Sequence, residues 1–170
     1  FTNPDKWEKP SDKEGYELHL STGALGLSHK LLFNSKSYLH TTLAMSGNGI
    51  ETENDELDEN LQLHDRERVN NNTWKYTLTS SLNHKFGPKH NNKTGFIYNM
   101  HYYNVDNREA EVLGGPLFVY ADETGNTSTV QAFSQSNIQM SNKLELNLGL
   151  HTHFFGLTNE LSIEPRLGMK

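Results

Sequence analysis

Thr73-Trp-Lys-Tyr-Thr-Leu-Thr-Ser-Ser-Leu-Asn-His-Lys-Phe86 alternates side-chain character over fourteen residues. Trp74, Tyr76, Leu78, Ser80, Leu82, His84 and Phe86 fall on one face, and Thr73, Lys75, Thr77, Thr79, Ser81, Asn83 and Lys85 on the other. A period of two is the repeat of an extended strand, here with one apolar and one hydrated side. Strands of soluble domains usually run about 5–6 residues, so this one is long.

The pattern recurs. Leu144, Leu146, Leu148, Leu150, Thr152 and Phe154 alternate with Lys143, Glu145, Asn147, Gly149, His151 and His153. Leu161, Ile163, Pro165, Leu167 and Met169 alternate with Ser162, Glu164, Arg166, Gly168 and Lys170. Phe96, Tyr98, Met100 and Tyr102 share a face, as do Leu25, Leu27, His29, Leu31 and Phe33, then Leu39, Thr41, Leu43 and Met45. Val130 to Ile138 forms a weaker member. Seven antiparallel strands and no helix are expected, an all-β, up-and-down arrangement over 21–170, with residues 1–20 unplaced.

Turn-forming residues join the strands tightly at Asn34-Ser35-Lys36, Gly87 to Asn91, and Ser141-Asn142-Lys143. Long loops are expected near 47–72 and 105–128, and a short connection around Gly156 to Asn159. Short turns at one end and long loops at the other are the habit of membrane-spanning barrels. The alternative is a soluble, secreted β-sandwich or small barrel binding a ligand such as a carbohydrate through its aromatics.

Composition points the same way. Hydrophobic residues make up 34% of the chain, under the roughly 45–50% of ordinary globular domains, as suits strands with a wet face. The net charge of -6 gives no footprint for nucleic acid. There is no cysteine, hence no disulfide or thiol chemistry. No apolar run approaches the ~20 residues of a transmembrane helix. The chain begins at Phe1 and stops at Lys170 within an alternating run, which reads as an excised piece.

Three stretches carry a resemblance to a known family: Trp74 to Phe86 continuing as Lys89 to Phe96; Val130 to Gln135; and Leu144 to Gly149 with His151, Phe154 and Ser162-Ile-Glu-Pro-Arg-Leu-Gly168. Over about Leu25 to Lys170 the chain resembles the barrel of TonB-dependent outer-membrane receptors of the Bacteroidota type. The resemblance implies a fragment of a twenty-two-stranded barrel in the cell outer membrane. The parent protein would import a scarce nutrient: a siderophore, haem, cobalamin or a glycan. It also implies a plug domain and a TonB energising complex as the parent's partners, with outer-membrane lipid around the wall. The chain contains neither plug nor TonB box.

On that reading Trp74, Tyr76, Leu78, Leu82, Phe96, Tyr98, Leu144, Leu146, Leu148 and Leu150 face lipid, where fully paired strands with apolar side chains are required. Trp74, Tyr76, Tyr98 and Tyr102 are candidates for an interfacial aromatic belt. Lys75, Asn83, Lys85, Asn99, His101, Glu145, Asn147, Glu164 and Arg166 face a wet lumen. The carboxylate-rich segment Glu51 to Arg68 reads as a solvated outer loop. Its oxygens would suit Ca²⁺, but its spacing does not match an EF-hand. His151 and His153 are weak metal candidates, two imidazoles on one strand face without a third ligand at fixed spacing. No cofactor is implied. No nucleophile elbow, phosphate loop or His-Glu-x-x-His motif is present, and the expectation is a protein that is not an enzyme. Open edges on a partial sheet invite self-association.

Overall fold

A computed structural model describes residues 3–170. Two short 3-10 turns, Pro4–Lys6 and Pro10–Lys13, precede seven strands: β1 Glu14–Asn34, β2 Ser37–Leu57, β3 Leu63–Gly87, β4 His90–Ala110, β5 Leu117–Ser141, β6 Leu144–Phe155 and β7 Glu160–Met169. They form one antiparallel up-and-down sheet in the order β1-β2-β3-β4-β5-β6-β7. Every neighbour in the sheet is a neighbour in sequence, so each strand is closed onto the last by a hairpin. A two-layer sandwich does not form among the described residues, since all seven strands belong to this one sheet.

The tight turns fall where the sequence places them: residues 35–36, 88–89 and 142–143. His90 and Asn91, expected in the second turn, already belong to β4. At the other ends of the hairpins the expectation needs correcting. Of the loop expected near 47–72, only 58–62 lies between strands; of 105–128, only 111–116. The acidic segment is mostly strand, in β2 and β3, rather than loop. Residues 14–20, left unplaced from sequence, open β1.

The 58–62 turn has a local cause. Asp58 Oδ1 accepts hydrogen bonds from the amides of Asn60 (2.8 Å) and Gln62 (2.9 Å), and Oδ2 meets His64 Nε2 at 3.1 Å. Leu61 takes the left-handed conformation, φ 62°, that closes it. The same side-chain-to-backbone habit makes Asp a turn former in general.

The chain divides into two compact units. The first comprises 1–23, 47–74 and 102–125. It contains the two buried hydrophobic side chains among the described residues, Leu57 and Ala110. Arg68 knits its β2 and β3 segments: the guanidinium reaches Asp55 at 2.6 Å and Asp65 at 2.7 Å, and donates to the carbonyls of Asn54 and Glu67. Arg66 donates to the carbonyl of Ala110 at 2.9 Å. Trp74 lays its ring over Gly47, where a Cβ would come within 2.5 Å of the indole.

The second unit comprises 24–46, 75–101 and 126–170. Its seven strand segments are between 10 and 16 residues long. The register of its last three strands is regular apart from a bulge between Gln139 and Ser141. Pro165, which has no amide proton to donate, sits in β7, the last strand in the order.

Candidate membrane-facing and lumen-facing surfaces

Register decides which side chains share a face. Ile138-Leu146-Met169, Ser136-Leu148-Leu167, Ser134-Leu150-Pro165, Ala132-Thr152-Ile163 and Val130-Phe154-Leu161 are cross-strand rows on one side of β5, β6 and β7. The intervening rows, Asn137-Asn147-Gly168, Gln135-Gly149-Arg166, Phe133-His151-Glu164 and Gln131-His153-Ser162, lie on the other. Among the earlier strands, Leu25, Leu27, Leu43, Met45, Tyr76, Leu78 and Tyr98 together line one shallow apolar concavity.

Much of the apolar face is left open among the described residues. Leu150 is 49% exposed and Leu167 76%. Trp74, Tyr76, Leu82, Phe96, Leu144 and Leu148 are also exposed large hydrophobics. No large side chain among the described residues is fully buried. A soluble domain hides such rows, since burying one Leu or Phe is worth about 1.5–3 kcal/mol. Large contiguous apolar faces left open mark an interaction with a partner or a membrane.

Polar groups interrupt the apolar face near the tight turns, and each is matched across strands. Ser37 Oγ meets His84 Nδ1 at 2.6 Å, and Thr41 meets Ser80 at 3.1 Å. Asn92 donates to Ser134 and Ser136, and His90 lies 3.2 Å from Ser136. The ring of Phe86 sits between those of His84 and His90. Sequence alternation could not expose the hydrogen-bonded pairs, because they join residues more than thirty positions apart.

The expected lumen-facing residues fall into groups. Asn83, Lys85 and Asn147 line one open polar concavity, and Asn147 and Arg166 a second one with His151. Asn137 donates to Glu145 at 2.6 Å and to Asn147 at 3.1 Å. Asn99 accepts from Thr77 and donates to Thr129. Glu164 is held by Arg166 at 2.9 Å. Lys75 and His101 line neither concavity.

His151 and His153 share the polar face, as their register requires. His151 Nε2 lies 3.3 Å from Gln131 Oε1, and Nδ1 lies 3.4 Å from Glu164. His153 Nε2 is buried without a hydrogen-bond partner. Among the described residues no group of three or more His, Cys, Asp or Glu is arranged to hold a metal ion, in the acidic segment or here.

Charge is divided between the units in a way the whole-chain total conceals. The first carries eighteen Asp and Glu against six Lys and Arg, net -12; the second three against nine, net +6, together the chain's -6.

No family model matches the chain, and no curated protein matches it. Among solved structures, it is similar to one described as the structure of the RagAB peptide transporter, with a TM-score of 0.66 and 10% identity. The likeness is one of fold. It covers 94% of this chain and 20% of that one, so the chain spans about a fifth of the length of the transporter chain it matches. No helix among the described residues is long and apolar enough to cross a membrane, which says nothing of a β-barrel.

Proposed function

We propose that this chain is part of the wall of an outer-membrane β-barrel of the TonB-dependent receptor kind, and that the complete barrel imports a nutrient. One observation carries the reading: the second unit is a sheet of membrane-crossing length with one open apolar face and one hydrated face. A strand tilted by about 45° needs roughly 9–11 residues to cross the hydrocarbon layer, and these segments run from 10 to 16. In lipid the apolar rows gain a nonpolar solvent, and the interstrand ladder satisfies the backbone that lipid cannot.

The fold shared with a peptide transporter supports a transport role and adds peptides to the siderophore, haem, cobalamin and glycan classes of cargo. On this reading the chain is a wall segment and not an enzyme. The energising complex and a plug act on the parent barrel, and the free edges of β1 and β7 pair with further strands or, in isolation, with other copies.

Fluorescence quenching tests this. In a background with Trp7 and Trp74 replaced by Phe, Leu148→Trp and Asn147→Trp place the reporter on opposite faces. After reconstitution, lipids brominated on their acyl chains quench the Leu148→Trp protein strongly and the Asn147→Trp protein weakly. Equal quenching of the two overturns the proposal.

A further inference from the structure

The polar concavity that contains Asn83, Lys85 and Asn147 has a volume of about 530 Å³ and an unbalanced lining. Lys36, Lys85 and Lys93 are among its lining residues, the Lys93 ammonium 5.8 Å from the centroid of the Phe133 ring, and no Asp or Glu lines it. Lys36, in the turn between β1 and β2, and Lys85 of β3 are held side by side: the amide of Lys85 donates to the carbonyl of Lys36 at 2.8 Å. Like charges placed across a ladder repel and weaken it. Some charge in this unit is paired, as where Glu164 meets Arg166 at 2.9 Å, but its cations outnumber its carboxylates nine to three. The remaining lining is dominated by carboxamides, among them Asn83 and Asn91, while Asn137 already donates to Glu145 and Asn147. Lys30 adds a further cation at the rim, 4.2 Å above the ring of Tyr38.

We propose that this concavity binds an extended acidic peptide, its carboxylates on Lys36, Lys85 and Lys93 and its backbone on the surrounding Asn side chains. A carboxamide offers one acceptor and two donors in a plane, the complement of a peptide group. A compact phosphate would be better served by guanidinium forks or a nest of backbone amides, and the lining supplies neither an Arg nor a glycine loop. A sugar would call for aromatic platforms, and Tyr38 is the single aromatic ring of the Phe, Tyr and Trp type in the lining. The inference stands whether or not the opposite face meets lipid.

The test uses the protein in nonionic detergent micelles, with strand content monitored by circular dichroism. The probe is a fluorescently labelled hexaglutamate peptide, with hexaglutamine and hexalysine of equal length and inorganic phosphate as comparators. Each exposed ammonium–carboxylate pair is worth about two- to fivefold in affinity. Three of them give hexaglutamate roughly tenfold to a hundredfold over hexaglutamine, a margin that shrinks with salt. The Lys36→Gln/Lys85→Gln/Lys93→Gln protein loses that margin with its strand content intact. The three Lys→Arg replacements keep it, and Lys75→Gln, outside the concavity, leaves it unchanged. Binding of hexaglutamate no tighter than hexaglutamine, an equal loss on Lys75→Gln, or displacement of the peptide by phosphate at matched charge concentration overturns the proposal.

Discussion

Replacing Leu150 by Arg should destabilise the membrane-inserted sheet by about 2–4 kcal/mol, the cost of a lipid-facing Arg at the bilayer midplane of a β-barrel. The depth follows from the strand. β6 spans Leu144–Phe155, twelve residues, roughly 40 Å of contour at about 3.3 Å per residue. Tilted by about 45°, it covers roughly 28 Å along the membrane normal, close to the ~30 Å hydrocarbon thickness. Leu150 lies six residues beyond Leu144, hence about 14 Å into that layer, near its centre. It sits between Ser134 and Pro165 on the apolar face and is 49% exposed within the chain, so it is not part of a packed core. Leu144→Arg at the turn end should cost about 0–1 kcal/mol by the same depth rule. Asn147→Arg, on the opposite face between Asn137 and Gly168, should cost little. The assay is equilibrium urea unfolding from lipid vesicles. A water-facing surface makes all three substitutions nearly neutral, and a packed core penalises Leu144 and Leu150 alike. Either of those patterns refutes a lipid-facing surface graded by depth.

Two further outcomes follow from the first unit. Gly47→Val should cost about 1–3 kcal/mol by overpacking, because its Cβ would come within 2.5 Å of the Trp74 ring; a red-shifted indole emission in a Trp7→Phe background would report the displaced ring, and an unchanged spectrum with unchanged stability would contradict it. The Asp58 carboxyl is held below its ordinary range, first by the Gln62 amide, then by His64 and the Asn60 amide. A carboxyl with a depressed folded-state pKa contributes stability above its unfolded value and loses it as pH falls through the folded one. The 58–62 turn should therefore stay ordered at neutral pH and loosen only below about pH 4, seen as faster hydrogen exchange of the Asn60 and Gln62 amides; Asp58→Asn should remove that pH dependence, and its persistence in the variant would sink the assignment.

The alternating rows and tight turns were legible because each depends on residues close in sequence. Asn34 with Lys36, Pro88 with Lys89, and Asn142 with Lys143 mark turns by their own backbone preferences. The strand segments 47–57, 63–72, 105–110 and 117–128 were not legible, for a physical reason. Hydrophobic period two appears only where one face is apolar, whereas Glu51, Glu53 and Asp55 alternate with Thr52, Asn54 and Glu56. Such strands are held by the backbone ladder and by long-range polar contacts such as those of Arg68. At the start of β1 the signal existed: Tyr16, Leu18 and Leu20 alternate with Glu17, His19 and Ser21. It changes phase before Leu25 and Leu27, so no single period-two register runs through the strand. The concavity around Lys36, Lys85 and Lys93 was out of reach altogether, since it assembles side chains from separate hairpins.

Strand length and charge lead independently to one division of labour within the chain. β3 and β5 run 25 residues each, roughly 80 Å of contour and, at about 45° of tilt, nearly 60 Å along the normal. That exceeds even the ~40–45 Å of a bilayer with its headgroups, so neither strand can lie wholly within a membrane. The chain holds eighteen of its twenty-one carboxylates in the first unit, and the second unit retains three. Burying ionised carboxylates in hydrocarbon is costly, and their near-exclusion from the segments that bear the apolar rows supports the lipid-facing role proposed for those segments. A sheet solvated along its whole length would be under no such constraint, because water accepts carboxylates equally well at every position along a strand.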